Sequence, residues 1–301
     1  MKRIVSVSMG SSQRDKRVET RLLNQDIIIE RIGVDGDLKR AEALLRSLDG
    51  QVDAFGMGGI DFGVYSSRRH HLLKDAQRLV RAAGSTPIVD GSGVKNSLER
   101  KLVEDLEPVY GIPVRNRHAL VASAAARHAL AEAFIKAGAH TVLGDFMFLL
   151  GLPVRFTSLK RMDLAIDLMA PLLCQLPSHW LVPVGEAQTK PPRPRFEKDW
   201  ARADFIAGDF HMLHRYLPAQ LAGKIIVTNT ATEEETIMLT ERGVAYLVTT
   251  SPKLNGRSFA TNVLEAALIA LAGKLPGELK SEDYLRLFQE AQLQPRVERL
   301  N

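Results

Sequence analysis

Apolar positions along the chain alternate between two spacings. Short runs rich in branched residues, Ile4 to Met9, Arg17 to Leu23 and Ile27 to Ile32, predict three strands. Asp37 then precedes a stripe at helical spacing, Leu38, Ala41, Leu44, Leu45 and Leu48, with Gly50 just beyond it, which predicts a capped helix. Val52 to Phe55 and Pro87 to Val89 are predicted strands on either side of a helix from Lys74 to Ala83, and Val94 to Glu107 is again helical. After Pro108 and Pro113, His118 to Ser123 read as a strand, Ala124 to Arg127 as a tight turn, Arg127 to Lys136 as a helix closed by Gly138, and Thr141 to Leu143 as a strand. That is a βαβ unit. Further on come a helix over Ser158 to Leu176, a strand over Trp180 to Val184 and an exposed polar loop over Glu186 to Lys198. Strands Lys224 to Val227 and Val244 to Val248 enclose a helix, Glu233 to Glu241. Asn262 and Glu265 have capping-box spacing ahead of an apolar run, Val263 to Leu271, that stops at Gly273. Tyr284 to Ala291 is an amphipathic segment in a polar tail expected to pack loosely.

Strands that alternate with helices of this length predict two α/β domains with mostly parallel sheets, the second Rossmann-like. The expected division is residues 1–114, 115–273 and a tail, 274–301, with one short helix. The tripeptide Gly-Asp-Phe occurs twice after a short apolar strand, at Gly144 to Phe146 and Gly208 to Phe210, which predicts two similar α/β halves in the second domain.

Composition changes this picture little. The chain has 45% apolar and 25% charged residues and a formal net charge of +5, so its partner is expected to be anionic. Lys and Arg are interleaved with acidic residues rather than gathered in a block, which argues against nucleic acid. The one cysteine, Cys174, lies in the apolar run MAPLLCQL and is expected in the core, not in a disulfide. No run approaches the roughly eighteen apolar residues of a membrane span, and MKRIVSVSMG leads straight into a strand, so a cytoplasmic location is expected.

Parallel sheets place ligands beyond the carboxyl ends of their strands. Three predicted strand ends carry glycine or serine, GSSQRDK at 10–16, GMGGID at 56–61 and DGSGVKNS at 90–97. Such loops either present backbone N–H groups to an anion or simply make sharp turns. Lys95 and Asp61 are the candidate catalytic pair of this half, and a lysine used as a base needs its pKa lowered by burial or by a like charge. Ser11, Ser12, Arg14, Asn96 and Arg257 are candidate substrate contacts, the arginines because their guanidinium groups match a carboxylate. In the second half, Ser123, Ala124, Ala126 and Arg127 form a turn ahead of a helix, and Asp145 stands about twenty residues further on, where a ribose-binding carboxylate is expected. The positions at which the dinucleotide fingerprint carries glycine hold Val121 and Ser123.

SAAARHALAEAFIKAGA resembles the cofactor turn of the shikimate and quinate dehydrogenases at Ala125, Ala126, Arg127, Gly138 and Ala139. IVSVSMGSSQRDKRVE, IVDGSGVKNSLER and VTTSPKLNGRSFATNVLEA, which span almost the whole chain, resemble bacterial proteins labelled quinate 5-dehydrogenase. The likeness implies a substrate domain at 1–114, a Rossmann-like cofactor domain at 115–273, and hydride transfer between NAD(P) and a polyhydroxylated cyclic carboxylate such as quinate or shikimate. It also implies that Asn229 and Thr230 lie near the nicotinamide. With Asp145 it favours NAD, because a carboxylate accepts the 2′-hydroxyl and repels a 2′-phosphate; NADP stays open. No asparagine, threonine, aspartate run follows Lys95, as it would in the authentic shikimate dehydrogenases.

Two rivals remain. One is an α/β binder of a carboxylated or phosphorylated metabolite that uses no dinucleotide, which the missing glycines favour. The other is a metal-dependent hydrolase using Asp209, His211 and His214, although the echo at Asp145 has Met147 and Leu150 in place of the histidines. His70 and His71 are expected at the surface. The expected partner is a small anionic substrate, without nucleic acid, membrane or bound metal; self-association is allowed.

Overall fold

A computed structural model describes residues 1–181, 195–251, 253–254 and 257–301, and only the backbone at 179, 181, 253–254 and 257–258. The chain opens with β1 (Lys2–Ser8), a short 3-10 turn at Ser12–Arg14, and the hairpin β2 (Lys16–Leu22) and β3 (Gln25–Gly33). Leu23 and Asn24 both have positive φ, as a two-residue hairpin requires, and β3 returns parallel to β1. Asp37 caps α1 (Leu38–Leu48) through the amides of Lys39 and Arg40, as its place before the apolar stripe predicts. Then follow β4 (Ala54–Gly58), the small hairpin β5 (Gly63–Tyr65) and β6 (His70–Leu72), α2 (Lys74–Ala82), β7 (Ile88–Val89) and α3 (Ser92–Asp105). The first sheet has the order β2-β3-β1-β4-β7, all parallel except β2.

The second sheet begins with β8 (His118–Val121), α4 (His128–Lys136) and β9 (His140–Leu143), the expected βαβ unit. After it come α5 (Asp145–Phe148), α6 (Leu159–Leu173), α7 (Ser178–Leu181), α8 (Glu197–Arg202), β10 (Phe205–Ala207), α9 (Phe210–Tyr216), β11 (Ile225–Thr228), α10 (Glu233–Glu241) and β12 (Tyr246–Thr249). The chain ends with the short ribbon β13 (Lys253–Leu254) and β14 (Arg257–Ser258), then α11 (Thr261–Ala272), α12 (Ser281–Glu290) and β15 (Arg296–Arg299). The order β15-β12-β11-β10-β8-β9 is parallel except for β15. Strand direction of growth reverses between β8 and β10, so the crevice of this Rossmann-like sheet lies there.

Both sheets are therefore α/β and mostly parallel, as expected, but the expected domain limits need correction. α11, assigned to the second domain by the sequence, packs on β1 and β4 of the first sheet, because its face of Val263, Leu264, Ala267 and Leu268 completes that sheet's open side. The tail is not loose: α12 packs on α3, and β15 pairs with β12. Asn262 and Glu265 form no capping box, since Ala260 is the helix cap and both residues are buried inside α11. Ser178–Leu181 is helical rather than the start of a strand; the rest of that predicted strand, 182–184, lies outside the described residues, as does the predicted loop up to 194, and Glu197 already begins α8. The two Gly-Asp-Phe segments do not head two halves. They follow β9 and β10, the strands on either side of β8 in one sheet.

Of the apolar clusters, one runs from Val5 and Phe55 through Leu102 and Val103 of α3 to Val121, Phe134 and Phe205, so α3 ties the two sheets together. Cys174 is buried at its edge, as expected. Among the described residues no helix is long and apolar enough to cross a membrane.

Candidate functional site

The carboxyl ends of both sheets open onto one cleft of about 460 Å³. The first sheet contributes Ser8 at the end of β1, Gly58 to Asp61 from the end of β4 and Asp90 after β7; the second contributes Ser123, Asp145, Asp209, Asn229 and Thr230. The inner face of α6, with Ile166, Met169 and Leu173, forms an apolar wall.

Not all glycines of the strand-end loops serve a ligand. A Cβ on Gly56 would meet the carbonyl of Asn262 at 2.8 Å, and one on Gly91, at φ 92°, would meet the Asn262 nitrogen and Thr261 Oγ1 at 2.7 Å. These two glycines admit the first turn of α11. Among the described glycines, Gly58, Gly59 and Gly63 line the cleft.

Lys95 and Asp61 come together as the candidate pair requires. Lys95, in the first turn of α3, is buried and its Nζ donates to Asp61 Oδ1 on the half-exposed loop after β4. Burial works to lower the lysine's pKa, but Asp61 and Asp90 outweigh it and hold the ammonium above its ordinary value. This is opposite to the shift a neutral-pH base needs, so Lys95 meets a ligand as a cation and hydrogen-bond donor. Asp90 itself accepts from the amides of Phe62 at 2.6 Å and Ser92 at 2.9 Å, which fixes the loop over α3.

Arg31, at the end of β3, donates to Ser8 Oγ at 3.0 Å, to the Ser11 carbonyl at 3.0 Å and to Asp15 at 2.9 Å. Burial lowers its pKa, and neighbouring Arg14 lowers it further. Two guanidinium groups and Lys16 thus converge on one side of the cleft. Arg14 was expected from the sequence; Arg31 was missed, although a charged Glu30-Arg31 step inside an apolar run was its signal. Ser11 and Ser12 do not line the cleft: Ser11 Oγ accepts from the Gln13 amide within the 3-10 turn, and the Ser12 amide donates to Asp35 in the loop after β3. Asn96 sits half-buried on α3, away from the cleft. The side chain of Arg257 lies outside the described residues.

The second sheet departs most from expectation. Asp145 does not wait at the end of β9 for a ribose. Its carboxylate accepts from the amides of Ala124 at 3.1 Å and Ala125 at 2.8 Å, the N–H groups that a diphosphate would use at the head of α4. Burial pushes its pKa up to about 6 against the pull of those amides. Arg127 is not a phosphate ligand either. It is buried, with Nη1 on Glu99 of α3 and Nη2 3.2 Å from Asp209. Ser123 Oγ accepts from the Asp209 amide at 3.4 Å, Asn229 Nδ2 donates to Asp209 at 3.3 Å, and Ala126 and Thr230 line the cleft. The expected cofactor residues are brought together, but Asp145 is taken up by the turn's own amides, and Ser123, Arg127 and Asn229 bond to Asp209. A nicotinamide dinucleotide with its diphosphate on this turn does not fit the residues present.

Asp209 caps α9 through the His211 amide at 3.0 Å. Burial works to raise its pKa, yet His211, Arg127 and Lys95 together keep it below the ordinary value. The metal reading is overturned: Asp209 is committed to Arg127, His214 stacks against Phe210, and no group of three or more His, Cys, Asp or Glu side chains that could hold a metal ion occurs among the described residues. His71 is likewise not a surface residue, since its Nε2 lies 2.9 Å from Asp167. His70 is exposed and stacks on Tyr65. Glu99 was missed; with Lys95 it occupies the apolar face of α3, and charged residues at core-facing positions are the signal that would have found both.

Residues 93–300, from α3 to β15, match one family of sequences, described as Domain of unknown function (DUF8754). The chain belongs to that family. Residues 3–90, which hold the strands of the first sheet, match a second, Domain of unknown function (DUF8753). No curated protein matches the chain. Among solved structures, AraP, an arabinose binding protein from Geobacillus stearothermophilus, aligns at a TM-score of 0.44 and 9% identity over 99% of this chain and 97% of its own. A glutamate dehydrogenase from Thermus thermophilus aligns at 0.43 and 12% over 97% and 73%, and an NAD-dependent malic enzyme from Thermotoga maritima at 0.39 and 11% over 97% and 84%. Sugar binders and dehydrogenases stand side by side at this level, and neither class is preferred.

Proposed function

We propose that the cleft binds a small hydroxylated metabolite carrying a carboxylate or phosphate, and that it does so without a dinucleotide on the 122–126 turn. The single observation behind this reading is the Asp145 carboxylate on the amides of Ala124 and Ala125. A diphosphate brought there would have to expel a buried carboxylate or share its amides with it, two anions in a site of low dielectric. The anion instead has Arg31 with its neighbours Arg14 and Lys16, and the ammonium of Lys95, while Asp61, Asp209 and Asn229 can accept or donate hydrogen bonds to hydroxyls.

The dehydrogenase reading keeps one specific support, the contact of Lys95 with Asp61 on the cleft floor, which is the pair expected to act on a substrate hydroxyl. It requires a nicotinamide cofactor held elsewhere than on Ala124 and Ala125. Titration with NADH and NADPH, followed by nicotinamide fluorescence, separates the two. Absence of saturable binding, together with calorimetric binding of quinate, shikimate or a sugar phosphate that Lys95→Met and Arg31→Met each abolish, is the expected result. Saturable binding of either nucleotide returns the dehydrogenase to first place.

A further inference from the structure

α6 is built inside out. Its two carboxylates point into the protein: Asp163 lies 3.0 Å from His128 Nε2 and accepts from Ser67, and Asp167 lies 2.9 Å from His71 Nε2. Its leucines point out. Leu164, Leu168 and Leu172, spaced one turn apart, retain 68%, 79% and 73% of their surface, and Pro171 beside them is exposed. The opposite face of the same helix is the apolar wall of the cleft. A helix that is apolar on both faces is one that is covered on both, and among the described residues nothing covers the outer stripe.

We propose that this stripe is the interface of a homodimer in which α6 packs antiparallel against α6 of a second copy. Three leucines at i, i+4 and i+8 present a regular ridge that a two-fold axis at Leu168 sets against its own image, Leu164 of one copy facing Leu172 of the other. The charges at the ends select this partner and this direction. The solvent face of the first turn carries Lys160 and Arg161 with no acidic residue, which the helix dipole disfavours, and the last turn carries no basic residue of its own to answer its negative end. In an antiparallel pair each cationic first turn lies against the negative carboxyl end of the partner helix, so an unfavourable feature of the single chain becomes an attraction between two. The helix of 15 residues gives a contact about 22 Å long. Because the other face of α6 walls the cleft, each copy then holds its partner's ligand wall in place.

Sedimentation velocity on the full chain over a concentration series tests this. The wild type is expected to be dimeric, and Leu168→Glu monomeric with unchanged circular dichroism, since that side chain makes little contact within its own chain. Lys160→Glu with Arg161→Glu should weaken association by about tenfold or more. Leu168→Cys should give a covalent dimer under mild oxidant, because the axis brings residue 168 next to its copy. A wild type that stays monomeric up to about 100 μM overturns the proposal. So does a Leu168→Glu variant that still dimerises, or a monomer that uses the stripe to bind anionic lipid vesicles.

Discussion

Gly144-Asp145-Phe146 and Gly208-Asp209-Phe210 flank the same strand end and finish in opposite electrostatic states. Asp145 is fully buried and answered only by backbone amides, and its pKa is pushed up to about 6. Asp209 keeps a third of its surface and faces Arg127, Lys95 and His211, and its pKa falls. At Asp145 the two amides do not outweigh the desolvation of the carboxylate, whereas at Asp209 the nearby His211, Arg127 and Lys95 do. One copy of the motif has become an internal stopper for an anion site; the other is part of a charged floor that stays open to solvent.

The largest effect in this comparison belongs to Arg127, the cation that Asp209 faces and Asp145 lacks. Arg127→Met leaves the buried Glu99 without its hydrogen-bonded counter-charge, with only Lys95 nearby, and should cost about 3–5 kcal/mol in urea unfolding. Arg127→Lys should recover only part of this, because one ammonium cannot span both Glu99 and Asp209 as the two nitrogens of the fork do. A loss below about 1 kcal/mol for the methionine variant would mean that Glu99 is held neutral and the pair is not an ion pair.

Asp145 predicts a pH dependence of definite sign. Its folded pKa of about 6 lies above the ordinary value of 3.8, so the native state holds a proton that the unfolded chain has released. Stability from this group is complete below about pH 4 and is lost as pH rises to about 6, roughly 3 kcal/mol in all. Asp145→Asn should flatten that slope. Glu265, pushed up to about 7 by burial and bonded to Tyr284, contributes over an overlapping window, so Glu265→Gln is the control that separates them. Asp209 has the opposite sign. Its contribution is present above about pH 4 and is lost as pH falls through its lowered pKa; Asp209→Asn should cost about 1 kcal/mol at neutral pH, reduced by solvent screening. The smallest effect is the sharpest. Asp145→Ala frees the amides of Ala124 and Ala125, and phosphate should then raise the unfolding midpoint by about 1–2 °C, with no such rise for Asp209→Ala. Equal responses would remove the distinction between the two turns.

Much of this architecture is legible in the chain. The Asp37 cap, the branched runs of β1 to β3 and the alanine-rich helix closed by Gly138 are local features, set by capping, by turn conformation and by the spacing of apolar side chains. The Lys95 and Asp61 pair was also within reach, because strand-end loops of parallel sheets converge. What misled was the reading of Asp145 by distance along the chain. Spacing put it near the turn, which is where it is, but it did not say whether the carboxylate would face a ligand or the turn's own amides. Likewise Gly56 and Gly91 signal close approach, and only the packing identifies what approaches as α11 rather than a phosphate.

The sequence by itself determined the alternation of strands and helices, the parallel sheets and the gathering of chemistry at their carboxyl ends, because each depends on interactions a few residues long repeated in order. The tertiary structure alone decided the rest. It sent α11 back to the first sheet, gave Asp145 to Ala124 and Ala125, placed Arg127 between Glu99 and Asp209, and turned the leucines of α6 outward. Those outcomes depend on which buried charge finds its partner and which apolar face finds cover, a competition among groups far apart in the chain, and burial settles it by making every unpaired loser costly.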